Sequence, residues 1–512
     1  MIKTNKIIVL GGGSAGWMTA ATLISQFPNK DITVIESPTT PTVGVGESTL
    51  GHINHWLKLL NIKDEDFMPH TDASYKLSIR FENFYKKGDG GFHYPFGTPY
   101  EKDLSRGKES WFFDDKPKCT YAEFISSQMA LVNNNTFITK DESNQFPKFN
   151  WQFDTAYHFD ATKFGTWLRE NYCKPKGVKH IIDDIYSIAD NHEGINSLEG
   201  KKDRYTADFY IDCTGFKSML FEEMGVKFNS YEDLLPNNRA WATRIPYKDK
   251  RNELVPYTNC TAIDNGWVWN IPSWERIGTG YVYSNKFITD EEALEEFKKY
   301  LDEKGSDYSN SEFKNIKMRV GLHDKIFYKN ACAIGLSAGF IEPLESNGLM
   351  SVHEFLKRLV RIMSRDDESI SQYDIDGFNY HCKQFFDDFS GFVASHYALS
   401  HRDDTEYWRN ISSKSFMSLK NSNFRDYFIN DTKVIHTDKM SFKSEYGMSY
   451  VSVGLNLKPF TKVDTTLAYD REIKKWQDEN NYRYGLVDKW NNIAKQKDSL
   501  YDYLNKHIHK EK

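Results

Sequence analysis

The sequence predicts an α/β protein built on a doubly wound, largely parallel sheet. The chain starts with a β-α-β pattern, in which a short apolar run at Lys6–Leu10 and a second strand at Asp31–Glu36 flank a glycine-rich turn and a helix. A late apolar strand is expected at residues 332–335, before an amphipathic helix that Ser346 or Asn347 caps. With 512 residues, the chain can form more than one module around such a sheet.

Bulk composition argues against several classes of function. The formal net charge is -6 and no basic stripe occurs, so nucleic acid and anionic membranes are not expected partners. No apolar run approaches the roughly 18 residues of a membrane span, and the six cysteines show neither a C-x-x-C pair nor a zinc spacing. We therefore expect a soluble, cytoplasmic protein with free thiols.

The glycine-rich turn fits the pattern G-x-G-x-x-G between a strand and a helix. Gly11 would permit the tight turn, Gly13 would let the backbone approach a pyrophosphate, and Gly16 would let the helix press on the sheet. An acidic residue that ends the second strand suits a ribose hydroxyl. The dinucleotide-binding residues predicted here are Gly11, Gly13, Ser14, Ala15, Gly16 and Glu36.

Further along, four local patterns predict strands and a helix. Residues 74–81 alternate strictly, with Lys76 on the polar face of a period-2 strand, where a lysine is more often solvated than functional. Residues 205–213 form another predicted strand. Residues 266–271 and 279–284 predict a hairpin, and a capping box at Thr289 precedes a helix at 293–301.

The stretch Trp267-Val268-Trp269-Asn270-Ile271-Pro272 narrows the interpretation. Behind a dinucleotide fingerprint, it resembles the W-x-W-x-I-P signature of flavin-dependent halogenases of the tryptophan-halogenase type. The resemblance runs from about Lys6 to about Asn456 and includes the Lys76 strand and the segment Glu342-Pro343-Leu344-Glu345-Ser346-Asn347-Gly348. It also includes residues 44–49, His396-Tyr397 and Arg402-Asp403-Asp404-Thr405.

The resemblance implies a cofactor and co-substrates. The cofactor would be FAD, used as FADH2 and supplied by a separate NAD(P)H-dependent flavin reductase, with O2 and a halide as co-substrates. Hypohalous acid formed at the flavin would travel to a lysine, where a small aromatic substrate is halogenated. Segments 212–216 and 335–343 resemble FAD-contacting segments of this family, and the further cofactor residues implied are Gly46, Ile182, Thr214, Leu336 and Leu349.

The resemblance also assigns roles at the reaction site. Lys76 and Glu345 would be catalytic, and Tyr94 and Phe96 would hold the substrate. The halide would be bound at Ser346, Asn347 and Gly348, and the wall between flavin and substrate would be formed by Trp267, Trp269, Ile271 and Pro272.

Three departures from the family pattern bear on the halide and the substrate. Asn347 stands where the family usually has Thr, and Tyr94 stands where the free-tryptophan enzymes carry His. Residues 442–456 contain no Trp, whereas that region of the free-tryptophan enzymes does. An indole, another electron-rich arene or a larger scaffold therefore fits as a substrate at least as well as free tryptophan.

The predicted architecture is an FAD-binding, monooxygenase-like module with an inserted, largely helical substrate module. The first would comprise residues 1–90, 155–225 and 325–365, and the second residues 91–154, 226–324 and 366–512. An FAD hydroxylase and a non-catalytic flavin redox sensor remain the alternative functions. No metal is expected, because Lys357 replaces the second His of an H-E-x-x-H pattern, and an oligomer is possible.

Overall fold

The structure, a computed structural model, describes residues 1–40, 46–100, 108–365, 369–420, 445–457 and 468–510. The chain divides into two compact units. Unit 1 comprises residues 1–73, 159–233 and 316–387, and unit 2 comprises residues 74–158, 234–315 and 388–512.

Unit 1 is organised around a six-stranded sheet that is parallel except at one edge. Its order is Phe327–Tyr328, Ala331–Ala333, Phe209–Asp212, Lys6–Leu10, Asp31–Glu36 and Lys179–Ile182. Only the pair at the Phe327 edge is antiparallel. The side chains from Ile7 to Leu10 are at most 5 % exposed, as expected for a parallel strand covered on both faces.

Smaller strands and helices complete unit 1. The other strands are Ile2–Lys3, Gly46–Ser48, Ile185–Asn191, Gly194–Gly200, Arg204–Tyr205, Phe228–Ser230, Gly321–His323, Gly339–Phe340 and Ser369–Ile370. The helices and helical turns are Ser14–Gln26, Ile53–Leu60, Asp64–Phe67, Met68–His70, Ala161–Trp167, Leu168–Cys173, Lys174–Lys176, Gly215–Lys217, Met219–Glu223, Gly335–Ser337, Gly348–Met363 and Gln372–Ala398, the last of which continues into unit 2.

The β-α-β start is confirmed, whereas two later strands are shorter than predicted. The predicted strand 205–213 is two strands, because Arg204–Tyr205 pairs with Gly194–Gly200 while Phe209–Asp212 joins the parallel sheet. The late strand covers Ala331–Ala333, and the backbone leaves it at Gly335, whose φ of 76° cannot continue a strand.

Unit 2 contains a seven-stranded sheet with the Trp267 motif at its centre. The order is Lys314–Lys317, Arg239–Ile245, Ile277–Tyr283, Gly266–Pro272, Tyr257–Ile263, Ser78–Glu82 and Gly91–Pro95. The predicted hairpin is confirmed, with Trp269 directly opposite Gly280 in antiparallel register.

The predicted single strand at residues 74–81 is wrong in its extent and in its solvent face. It breaks at Leu77, so that Ser74–Lys76 pairs with residues 156–158, whereas Ser78–Glu82 joins the large sheet. Lys76 and Ser78, on the polar side of the alternation, are both fully buried. The strand changes sheets, and both of its faces meet protein.

The helices of unit 2 include the one that the capping box at Thr289 predicts. Thr289 caps Asp290–Glu303, accepting from the Glu292 N–H at 3.2 Å. The other helices and helical turns are Lys108–Phe112, Tyr121–Ile125, Met129–Asn134, Asp141–Gln145, Trp151–Asp154, Lys250–Glu253, Glu406–Lys420, Glu445–Gly454, Asp470–Ala494, Leu500–Leu504 and Asn505–His509. None of the helices in the described part of the chain combines the length and apolar character needed to cross a bilayer.

A half-buried carboxyl lies against the segment that carries Phe96. Asp154 ends the helix Trp151–Asp154 and accepts a hydrogen bond from the Asn150 N–H at 2.7 Å. A Cβ atom on Gly97 would lie 2.4 Å from its Oδ2 atom, so only glycine admits this contact. Burial raises the pKa of Asp154 to about 6, while the Asn150 hydrogen bond opposes that rise.

Replacing Gly280 by Ala should destabilise the hairpin. The added Cβ would lie 2.2 Å from the Trp269 ring and 2.4 Å from the Trp241 carbonyl oxygen. We expect Gly280→Ala to lower the free energy of unfolding by about 1–3 kcal/mol, measured by chemical denaturation. The control is Gly485→Ala in the helix Asp470–Ala494, where nothing lies within 4 Å, and this change should be neutral or stabilising. Equal effects of the two variants would contradict this account.

Asp154→Asn should stabilise the protein at alkaline pH. Because the pKa of Asp154 is higher in the folded protein than in the unfolded chain, the stability from its protonated form is complete below about pH 4. That stability is lost as the pH rises through about 6. At pH 8 the variant should therefore exceed the wild type by about 1–3 kcal/mol, and the difference should shrink towards pH 4. Denaturation curves across this range test it, and a pH-independent difference would refute it.

Candidate active site

The predicted cofactor residues of unit 1 come together at one edge of the parallel sheet. Gly11 follows the strand Lys6–Leu10, Glu36 and Ile182 end two neighbouring strands, and Thr214 and Leu336 follow two more. These strands are mutually parallel, so their carboxyl ends share one edge. Ligands of open α/β sheets bind outside this edge.

The turn at this edge suits an anionic group. Gly11 has a φ of 117°, and a Cβ there would lie 2.2 Å from the Cys213 carbonyl oxygen. The helix Ser14–Gln26 begins at Gly13 without a side-chain cap and with no acidic residue in its first turn. No side chain of this helix therefore accepts a hydrogen bond from its first backbone N–H groups. These groups carry partial positive charge, which suits a negatively charged pyrophosphate.

Glu36 lies beside this turn and is already hydrogen-bonded. A Cβ on Gly12 would lie 2.3 Å from the Glu36 carboxyl carbon. The carboxylate accepts from His180 Nε2 at 2.8 Å and faces Arg169 Nη1 at 3.5 Å. These two contacts fix the carboxylate next to the fingerprint.

The Thr214 and Leu336 segments are joined through Asp212. Ile334 donates its N–H to the Asp212 carbonyl at 2.9 Å, and Thr214 donates to the Asp212 carboxylate at 2.7 Å. A Cβ on Gly335 would lie 2.8 Å from the Ala15 side chain, so this segment packs on the fingerprint helix. Of the glycine segment 44–49, residues 44–45 lie outside the described part, and Gly46 starts the short strand Gly46–Ser48.

Glu345 and the predicted halide residues form the loop that enters the helix Gly348–Met363. Glu345 is fully buried, and Leu349 is 5 % exposed in the first turn of the helix. The Ser346 N–H donates to the Pro343 carbonyl at 2.9 Å and its hydroxyl donates to Ser48 at 3.1 Å. Asn347 is the N-cap without a side-chain cap bond, so a 16-residue helix points the positive end of its dipole at this loop.

In unit 2, the ammonium of Lys76 is buried against an aromatic ring. Lys76 is 0 % exposed, and its Nζ lies 5.0 Å from the centroid of the Phe96 ring. Phe96 is anchored beside it, since the Phe96 N–H donates to the Leu77 carbonyl at 2.9 Å. The structure therefore brings the predicted catalytic lysine to one of the two predicted substrate residues.

A buried hydrogen-bond chain joins the Lys76 strand to the Trp267 motif. Ser74 donates its hydroxyl proton to the Pro272 carbonyl at 2.6 Å, so its oxygen accepts from His158 Nδ1 at 3.3 Å. His158 Nε2 then accepts from the Thr258 hydroxyl at 2.9 Å. Burial, and then the nearby positive charge of Lys76, hold the pKa of His158 well below its usual value, so this imidazole is neutral.

The motif side chains are buried in the same sheet. Trp267 is 1 % and Trp269 8 % exposed, and their rings meet edge to face with centroids 6.2 Å apart. Ile271 and Pro272 are also buried. Their side chains pack in the core of the sheet, the Trp269 carbonyl accepts from the Thr279 hydroxyl at 2.8 Å, and the Pro272 carbonyl accepts from Ser74.

Tyr94 and Phe96 belong to a larger aromatic cluster. The Tyr94 ring meets Phe96 edge to face at 5.7 Å, stacks on Tyr450 at 5.9 Å, and meets the edge of Phe392 at 6.2 Å. Tyr121 adds its ring 6.1 Å from Tyr450. Ring faces and edges of this kind are the surfaces against which planar aromatic groups pack.

Sequence analysis missed several residues of this site. His158, Gln128 and Tyr450 lie next to the predicted residues only in the folded chain. Tyr450 carried the only signal, because it stands in the region 442–456 that was compared with the substrate-gripping segment of the family. Within the described residues, no group of three or more His, Cys, Asp or Glu side chains could hold a metal ion.

Comparison with known proteins places this architecture in one family. The tryptophan halogenase family model matches residues 6–469. The tryptophan 6-halogenase SttH of Streptomyces toxytricini is 32% identical over 433 residues, which are 80% of this chain and 81% of that protein. The tryptophan 7-halogenase RebH of Lentzea aerocolonigenes is 32% identical over 80% of this chain and 78% of its own length.

Solved structures give the same result. The apo structure of VirX1 superposes with a TM-score of 0.90 at 36% identity and covers 99% of this chain and 100% of that one. The crystal structure of SttH superposes with a TM-score of 0.83 at 29% identity, covering 98% and 99%. These similarities favour a halogenase over a hydroxylase or a redox sensor. The chain belongs to the tryptophan halogenase family and is a flavin-dependent halogenase.

Proposed function

We propose that this halogenase uses FADH2, O2 and a halide to halogenate an electron-rich, indole-like arene at Lys76. The observation that carries this proposal is the fully buried Lys76 ammonium, 5.0 Å from the Phe96 ring in an aromatic cluster. A buried cation is costly to maintain, so its presence beside a planar aromatic wall favours a chemical role. A separate NAD(P)H-dependent flavin reductase would supply the reduced cofactor.

Unit 1 would hold the FAD. The uncapped start of the helix Ser14–Gln26 would receive the pyrophosphate, and Glu36 would accept from a ribose hydroxyl. Thr214, Leu336, Ile182, Gly46 and Leu349 would line the rest of the cofactor. When bound and reduced, FAD would supply two electrons that activate O2, so that one oxygen atom is transferred to the halide as hypohalous acid and the other leaves as water.

The halide would lie at the start of the helix Gly348–Met363. The Ser346 N–H and hydroxyl already donate elsewhere, so the backbone N–H groups of Asn347 and Gly348 are better placed to bind an anion. A backbone contact does not depend on the Asn side chain that replaces the usual Thr.

At the reaction site, Lys76 would orient the electrophilic halogen while the arene lies against Tyr94 and Phe96. The ring attacks the halogen, and the halogen–oxygen bond breaks as the oxygen leaves as hydroxide, which takes up a proton to become water. The ring then loses its own proton to a base. We propose that Glu345 either accepts that proton or polarises hypohalous acid. We propose that Trp267, Trp269, Ile271 and Pro272 wall off the flavin, so that the oxidant reaches the arene by way of Lys76.

The arene need not be tryptophan. SttH and RebH are named for tryptophan, but this chain has Tyr94 where the free-tryptophan enzymes carry His, and residues 442–456 contain no Trp. We therefore propose an indole or a similar arene without a required amino-acid group.

Lys76→Met tests the role of the amine. Methionine preserves most of the side-chain volume but cannot bind the halogen, so halogenated product should fall by about 100-fold or more. Flavin oxidation should continue, and hypohalous acid should accumulate in a chemical trap. The assay combines FAD, a flavin reductase, NADH, O2 and chloride, bromide or iodide with an indole panel, and mass spectrometry detects the product.

The matched control is Lys140→Met, at an exposed lysine of the same unit. It should leave both product and trapped oxidant at wild-type levels. Undiminished product from Lys76→Met would refute the assignment of Lys76, and a halide-independent hydroxylated product would refute the proposed function.

Ser74→Ala tests the chain that fixes the lysine strand. The change leaves the Pro272 carbonyl and His158 without this partner, so stability should fall by about 1–3 kcal/mol. Product formed per flavin oxidised should also fall several-fold, because Lys76 is displaced from the arriving oxidant. Ser197→Ala, which removes a buried hydroxyl in unit 1, should lower stability without changing that ratio. An unchanged ratio in Ser74→Ala would exclude a positioning role.

A further inference from the structure

Gln128 is a buried amide at the start of the helix Met129–Asn134, and its position depends on Phe96. It is 1 % exposed. Its side-chain Nε2 donates a hydrogen bond to the Phe96 carbonyl oxygen. Sequence analysis did not single it out, because 32 residues separate the two partners.

The Phe96 bond fixes which way the Gln128 amide faces. A carbonyl oxygen only accepts hydrogen bonds, so the NH2 group of the Gln128 amide must face the Phe96 carbonyl oxygen. The Oε1 atom of Gln128 must therefore point away from that carbonyl oxygen. In the described part of the chain, this buried Oε1 has no hydrogen-bond partner. Buried acceptors are nearly always satisfied, so this oxygen is suited to accept a hydrogen bond from a bound molecule.

The same residue, Phe96, joins Gln128 to the arene site. The Lys76 ammonium lies over the ring of Phe96, while the Gln128 amide holds its carbonyl. Tyr94 meets the ring of Phe96 edge to face. An arene placed against Phe96 for reaction at Lys76 is therefore near an amide whose oxygen accepts one more hydrogen bond.

We propose that Gln128 Oε1 accepts a hydrogen bond from an N–H or O–H group attached to the substrate ring. The inference rests on the proposed function and narrows its substrate class to indoles, phenols and anilines, as against their N- or O-alkylated analogues. Gln128 is thus a specificity-determining residue.

This contact also favours the chemistry. When the ring attacks the electrophilic halogen, positive charge develops on the ring and is shared with the attached nitrogen or oxygen. A carbonyl dipole aimed at the N–H or O–H stabilises that charge without removing the proton. The acceptor therefore selects the substrates whose ring it also activates.

The test compares indole with 1-methylindole, which is equally aromatic but has no N–H. In the wild type, kcat/KM for halogenation should favour indole. In Gln128→Met, which has a similar volume and no amide, the ratio of the two kcat/KM values should fall by about 3- to 10-fold. Comparing ratios cancels the intrinsic reactivities of the two arenes. Gln145→Met, at an exposed glutamine of the same unit, should keep the wild-type ratio.

A binding measurement separates this inference from the proposed function and does not need the variant to fold. Indole should bind the wild-type protein about 3- to 10-fold tighter than 1-methylindole by calorimetry. If indole binds more tightly but no halogenated product forms, the result would support the hydrogen bond to Gln128 and contradict the proposed function. Equal binding of the two arenes, or halogenation with an unchanged ratio in Gln128→Met, would overturn the inference and leave the proposed function standing.

Discussion

The burial of the Lys76 ammonium is the constraint around which unit 2 is arranged. Moving a cation out of water carries a large desolvation cost, which nearby groups must offset. The face of the Phe96 ring supplies part of the compensation. His158 remains neutral next to the lysine, because a second buried cation would add repulsion to desolvation. The lysine strand therefore places a buried amine beside an uncharged imidazole.

Hydrogen bonds connect the lysine strand to the tryptophan motif. Pro272 ends the motif strand, and its carbonyl accepts the hydroxyl of Ser74, two residues before Lys76. His158 lies opposite Ser74 in the neighbouring strand and bonds to the same hydroxyl. The motif thus fixes where the lysine strand lies, in addition to its own packing as two buried tryptophans at the centre of the sheet.

Unit 1 reflects a different constraint, the direction of parallel strands. Segments that are far apart in the chain, from Gly11 to Leu336, meet because each follows a strand that runs the same way. The helix that starts at Gly13 then offers its positive end at that edge. The buried loop at Glu345 shows the same arrangement, since it leads into the helix Gly348–Met363.

Local patterns in the chain were enough to identify the first β-α-β unit, the hairpin of the motif and the capping box at Thr289. Each depends on residues close in sequence, whose conformations and hydrogen bonds are set by near neighbours. The resemblance carried by Trp267–Pro272 added the family. It drew attention to Lys76, which alternation alone had placed on a polar face.

The fold decided which of those faces met water. An alternating sequence pattern predicts that successive side chains of a strand point in opposite directions. It does not predict what covers each side of the strand, and at Lys76 both sides are covered. The long-range contacts of this site are equally a product of folding. Gln128 bonds to Phe96 across 32 residues, His158 bonds to Ser74 across 84, and Tyr450 stacks on Tyr94 from more than 300 residues away. Contacts over such separations arise from strand order and helix packing, which no short window of sequence contains.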